Sequence, residues 1–281
     1  MTENTFQPAP INRGDGLRAV LLRSHRVGPF AVTLKRYRHD FQQGRHEHEH
    51  ATIDLVVAGW GSGTYRSTEG ASGPASVEYF APGAKHSFRS GPRGICTMHM
   101  VVPGAMAPRE DRSGRALDAD LDPSRCLGLA VALLRELTGP GRCDTLAMES
   151  LAYELLAETA RWPVERRPGP AWIGGLIDRL RAERGRTVSL AALASEAGVH
   201  PSHCAREFRR AIGISVGTYA RRLRAADAAR RVTADDGPLA RAAHECGFVD
   251  QAHLSRHVAR HAGLPPAALR RLFRGADAGS R

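Results

Sequence analysis

The chain has 281 residues, enough for two domains of ordinary size, and its apolar content of 42% supports packed cores and excludes a disordered chain. No stretch approaches the ~18 consecutive apolar residues of a membrane span, and the formal net charge of +11 favours an acidic partner. Five scattered cysteines (Cys96, Cys126, Cys143, Cys204 and Cys246) without a C-x-x-C pair fit a reduced cytosolic chain rather than a disulfide framework or a zinc finger.

The opening stretch MTENTFQPAP is polar and lacks the basic start and apolar core of a secretory leader, so a cytoplasmic protein is expected. Residues 17–102 read as strands. Apolar runs at Phe30–Leu34, Ile53–Val57 and Ile95–Val102 alternate with Gly/Pro/Ser turns, and their regular spacing predicts a small β-barrel. Inside it, GRHEHEHATIDLVVAGWGSG concentrates histidine and carboxylate. Read as a strand, this segment places His48 and His50 on one face, pointing inward. Together with the later YFAPGAKHSF, which carries His86, the segment resembles the two short motifs of the cupin barrel. That resemblance implies His48, His50, Asp54 and His86 as an effector or divalent-metal set, with His46 out of register. Neutral imidazoles and a carboxylate suit zinc, iron or manganese. No cofactor is certain from the sequence.

Residues 103–122 are loop-like. From 123 to 160 the period becomes helical. Leu127, Val131, Leu134 and Leu137 line one face; after the Gly139-Pro140-Gly141 break, Met148, Leu151, Leu155 and Leu156 line another. An antiparallel helix pair is expected, packed on the barrel or forming a dimer contact. RWPVERRPGP, residues 161–170, contains three prolines and no apolar period and reads as a linker. A helix then runs from near Ala171 to Gly185 on a stripe of Trp172, Leu176, Ile177 and Leu180. The basic excess lies beyond this point: residues 171–281 hold 19 arginines against 10 acids, whereas residues 1–170 hold 21 Lys and Arg against 19 acids. That is where phosphate neutralisation would use it.

The last third repeats one pattern. Ser189–Gly213 and Pro238–Gly263 each give a short Ala/Leu-rich helix, a Gly turn (Gly198, Gly247) and a basic helix ending in Gly. Ser189 is a candidate N-cap, and Pro201 suits the first turn of the second helix. Phe208 and Ile212 point inward, as do Leu254 and Val258. Ser202, His203, Arg206, Arg209 and Arg210 remain on the outer face of the first unit, and Gln251, His253, Arg256 and Arg260, with His257, on that of the second. Arginine pairs bidentately with guanine and glutamine with adenine in a major groove. Between the units, Val216–Val232 contains no proline and recurs apolar at Val216, Tyr219, Leu223, Ala226, Ala229 and Val232. A single helix of about 26 Å is expected, a rod able to hold two probes in successive major grooves about 34 Å apart.

The C-terminal hundred residues, above all GFVDQAHLSRHVARHAGLPPAALRR, resemble the AraC/XylS family of bacterial transcription regulators. Ser202, Val216, Arg231 and Val258 depart from its usual residues. The resemblance implies base-contacting roles for Ser202, Arg206, Gln251, His253 and Arg256. It also implies a regulator rather than an enzyme, with a cupin-like sensor. The expected fold class is α+β: a cupin-like barrel over 1–122, a helix pair over 123–160, a linker over 161–170 and a double helix-turn-helix domain over 171–281. Expected partners are double-stranded DNA, a small-molecule effector, RNA polymerase and a second copy of the chain, with no membrane. The competing reading is a metal-dependent cupin enzyme with a helical appendage. A nonspecific nucleic-acid binder is disfavoured, because Phe208, Tyr219 and Phe248 are the only aromatics between Ser189 and Gly263 and read as core rather than as base-stacking platforms.

Overall fold

A computed structural model describes residues 19–65, 68–107, 123–140, 144–164, 169–184 and 189–278. Most of the expected loop (108–122), the linker residues 165–168 and Gly185 lie outside them.

Among the described residues, seven strands form one antiparallel sheet: β1 (Ala19–Val27), β2 (Phe30–Tyr37), β3 (Gln42–His46), β4 (Ala51–Tyr65), β5 (Thr68–Ser72), β6 (Val77–Phe80) and β7 (His86–Val102). The order is β1-β2-β7-β4-β5, with β3 also on β7 and β6 also on β4. The period-2 alternation of the strands separates two faces. One carries the buried cross-strand rows Leu34–Met98–Leu55 and Val32–Met100–Ile53–Tyr79. The other carries the polar row Thr33–His99–Asp54–Glu78 and, beside it, Lys35–Thr97–Val56.

The apolar face is covered by α1 (Pro123–Thr138) and α2 (Thr145–Val164). Cys126, Leu127, Ala130, Val131, Leu134, Met148, Ala152 and Leu155 bury against it, each large side chain contributing about 1.5–3 kcal/mol. Asp144 caps α2 by accepting from the Leu146 and Ala147 amides at 3.0 and 3.1 Å. The helix runs on to Val164, into the stretch expected to be linker.

The C-terminal part is all helix: α3 (Trp172–Ala182), α4 (Leu190–Glu196), α5 (Pro201–Ile212), α6 (Val216–Ala234), α7 (Leu239–Glu245), α8 (Gln251–Ala262) and α9 (Pro266–Ala278). Ile173, Leu176, Ile177 and Leu180 of α3 pack with Leu193, Phe208, Ile212, Val216 and Tyr219 in one apolar core. The rest of the helical part does not form a core of its own. Ala228, Ala229 and Val232 of α6, with Cys246, Phe248, Leu254, Val258, Leu269 and Phe273, join the core of the sheet and α1–α2. The apolar cores therefore divide within α6, not at residues 161–170.

Candidate functional site

The two probes are α5 and α8, each presented by a short helix and a tight turn. Gly198 and Gly247 hold these turns at φ +66° and +72°, a left-handed conformation that a Cβ makes costly. Ser189 caps α4 by accepting from the Ala192 amide at 3.1 Å, and Asp250 caps α8 by accepting from the His253 amide at 2.6 Å. Cys204, Phe208 and Ile212 bury one side of α5, and Leu254, Val258 and Ala262 the matching side of α8.

The opposite sides carry the expected readers. Ser202, Arg206, Arg209 and Arg210 are exposed on α5, as are Gln251, Arg256 and Arg260 on α8. His203 and His253 are half-buried. His203 accepts from Arg206 Nη2 at 2.9 Å, and His253 packs edge-on against Phe248 at 5.3 Å between ring centroids. Gln251 and Arg256 do not share a face: five residues of helix turn them roughly 140° apart, and Ala252 occupies the position one turn before Arg256. Glu207, not singled out in the sequence, holds Arg210 through two hydrogen bonds of 2.6 and 2.9 Å. Arg206 and Arg210 both lie beside this acid, so the first probe presents less free positive charge than the sequence suggests.

In the sheet, the expected set of four does not assemble. His48 and His50 follow the end of β3 and precede β4, so alternation along a strand does not govern them. His48 and His86 instead meet His46, which was expected to be out of register. Ligand atoms of the three lie within 4.8 Å of one another. His46 and His86 each place Nδ1 on a backbone carbonyl, of Gly44 and Ala84 respectively, at 2.9 Å. That leaves Nε2 for a ligand, a common arrangement in metal sites. Burial and the neighbouring His86 and His46 rings lower the His48 pKa to about 4, and burial likewise lowers that of His86. Three imidazoles at this spacing fit a divalent transition metal, without His50 or Asp54 completing the group.

Asp54 belongs to the polar row. It accepts from or pairs with His99 at 2.9 Å and stands directly opposite Glu78. Tyr37 Oη meets His99 Nε2 at 3.2 Å. Burial, and secondarily the Asp54 charge, push the Glu78 carboxyl up to about 7 against a hydrogen bond from Ser72, and burial lowers the Lys35 pKa despite Asp54. Thr33 Oγ1 and Asp54 Oδ1 are buried without a hydrogen-bond partner. Thr33, Lys35, Glu78 and His99 were missed in the sequence because they are spread over three strands, β2, β6 and β7. The signal lies in their cross-strand register, which only the sheet reveals.

The sequence comparisons agree with this geometry. A model of the AraC-like ligand-binding domain matches residues 28–156, and a helix-turn-helix domain model matches residues 193–272. Two proteins described as AraC-like transcription regulators, from Streptomyces lividans and Streptomyces antibioticus, are each 31% identical over 150 residues. These residues are 50% of this chain and 49% and 50% of theirs. The chain thus spans about half the length of the curated relatives it matches. Among solved structures, the C-terminal domain of AraT, a response regulator from Geobacillus stearothermophilus, aligns at a TM-score of 0.34 and 19% identity over 37% of this chain and 88% of that one. A cupin superfamily protein from Desulfitobacterium hafniense aligns at 0.28 and 11% over 31% and 79%. The chain thus carries, in tandem, an AraC-like ligand-binding domain and a helix-turn-helix domain.

Proposed function

We propose that the chain is a sequence-specific, DNA-binding transcription regulator that responds to a small molecule held by its sheet domain. The observation that carries this reading is the pair of capped helices, α5 and α8, each with its apolar side buried and its arginines outward. Arg206 and Arg256 lead the base readers, with Ser202 one turn before Arg206 on the same face and Gln251 at the start of α8. Arg209, Arg210 and Arg260 neutralise phosphate, and His203 and His253 support the probes from their flanks. The regulator acts in the cytoplasm as a homodimer, upstream of RNA polymerase and without enzymatic activity. Leu146 and Tyr153 on α2, 77% and 43% exposed, support the dimer contact.

The effector occupies the polar face of the sheet. The unpartnered oxygens of Thr33 and Asp54 there favour a compact molecule rich in hydrogen-bond donors. A second reading, a divalent metal on His46, His48 and His86, is favoured by the convergence of their ligand atoms. Equilibrium dialysis of the full chain separates the two. Loss of zinc uptake in His86→Ala with uptake kept in Asp54→Asn supports the metal, and equal uptake in both variants removes it.

Selection from a random duplex pool tests the main claim. The recovered duplex should bind with a log–log salt slope of several units, roughly one per phosphate contact. Arg256→Ala should cost about 1–3 kcal/mol and relax preference at one base pair. An equal loss on all sequences would reassign Arg256 to phosphate, and a flat salt response would remove DNA as the partner.

A further inference from the structure

The helix α6 joins the two probe units, and its middle belongs to neither apolar core. Val216, Tyr219 and Leu223 pack with α3–α5, while Ala228, Ala229 and Val232 pack with α7–α9 and the sheet domain. In the gap lies Asp227, 1% exposed. Its Oδ1 accepts from Arg184, just beyond α3, at 2.8 Å and from Arg230 at 3.5 Å. Its Oδ2 accepts from Arg231 at 3.3 Å and from the Cys246 thiol, at the end of α7, at 3.6 Å. Arg231 continues the network to Glu245 of α7 at 2.7 Å, and Arg241 of α7 reaches Asp235 at 3.1 Å. One carboxylate therefore ties together the turn after α3, whose helix packs with the first unit, the connecting helix and the end of the first helix of the second unit.

Alanine fills the buried neighbours of Asp227 on α6, so an apolar residue would fit the stripe there. A buried carboxylate costs desolvation that only paired, hydrogen-bonded cations offset, and its best-attested return is registry between elements rather than stability. Here burial alone would raise its pKa. The guanidiniums of Arg184, Arg230 and Arg231 outweigh burial and hold the group ionised. Arg184 itself sits at φ +50°, an uncommon conformation for a residue with a side chain.

We propose that Asp227, through Arg184, is a positioning residue that fixes the angle between the two probes and so the half-site spacing that the regulator accepts. A straight α6 sets the distance between the units, but it does not stop α3–α5 from rolling about the helix axis. The clamp from α3 to α6 and α7 does. This inference rests on the two-probe reading above.

The test uses the full chain as wild type, Arg184→Ala and Asp227→Asn. The probes are the two-half-site duplex recovered from a random pool by the wild type, the same duplex with either half scrambled, and versions with the spacing lengthened. Arg184 is half-exposed at its side chain (52%), so its truncation leaves the fold testable even where Asp227→Asn does not. Arg184→Ala should weaken the two-half duplex by about tenfold, a typical coupling within one network. It should leave each single-half duplex unchanged and flatten the dependence on spacing. Asp227→Asn should act alike, with the two effects less than additive. If Arg184 instead touches phosphate, single-half binding weakens and the salt slope falls by about one, which overturns the proposal. Proportional loss on every duplex, or loss on none, also overturns it. A wild type that selects no two-half duplex overturns the two-probe reading, and the clamp with it.

Discussion

Glu78 stands opposite Asp54 in the β4–β6 ladder, and its carboxyl, pushed up from 4.5 to about 7 by burial, keeps a proton that the unfolded chain has already lost. The folded state therefore binds more protons than the unfolded state across that window. Stability from this group is complete below about pH 4.5 and is lost as the pH rises through about 7. Glu78→Gln should melt at a higher temperature than the wild type at pH 8 and at the same temperature near pH 4. Parallel melting curves with no convergence at acid pH would deny the shift. The outward arginines of α5 and α8 were legible in the sequence because helical spacing alone assigns a face. The histidines were not, because the period-2 reading of His48 and His50 assumed a strand where the chain runs between β3 and β4. Asp227 was invisible for a related reason: its charge sits in an alanine stripe, and its three arginine partners include one 43 positions earlier in the chain.

Helices were the most legible elements. The start of α5 at Pro201, the cap at Ser189 and the turns at Gly198 and Gly247 follow from local backbone chemistry. The cap of α8 was less evident, because the turn after Gly247 is one residue longer than that after Gly198 and shifts the capping position to Asp250. Asp250→Ala removes an acceptor from an orphan amide of the probe. Its cost should be about 0.5–2 kcal/mol, read as a lower denaturant midpoint with an unchanged slope. A change in slope without a change in midpoint would mean that the residue acts on the unfolded chain instead. Element ends were harder to place: α2 runs to Val164, past its expected end at residue 160.

The α+β order, sheet domain first and paired helix-turn-helix units last, was legible in the whole sequence. The sharing of one core between distant segments was not, because apolar periodicity shows which face is buried but not against what. The α8 probe packs beside α1 so closely that a Cβ on Gly128 would lie 3.0 Å from the His261 carbonyl oxygen. Arg36 of β2 also bonds Asp277 of α9 at 3.0 Å. Met100→Ala, which opens the sheet core at a cost of about 2–5 kcal/mol, should therefore speed hydrogen exchange in α7 and α8 together with the strands and leave α4 and α5 untouched. Exchange confined to residues 19–164 would separate α8 from the sheet. The seam within α6 also governs any hybrid regulator made by transplanting this sensor onto foreign probes. A fusion joint in the proline-rich stretch would strip α7–α9 from their apolar bed and leave both fragments sticky. Two joints, one in that stretch and one just after Leu223, would keep that bed intact, and the donor would then supply only the first reading head.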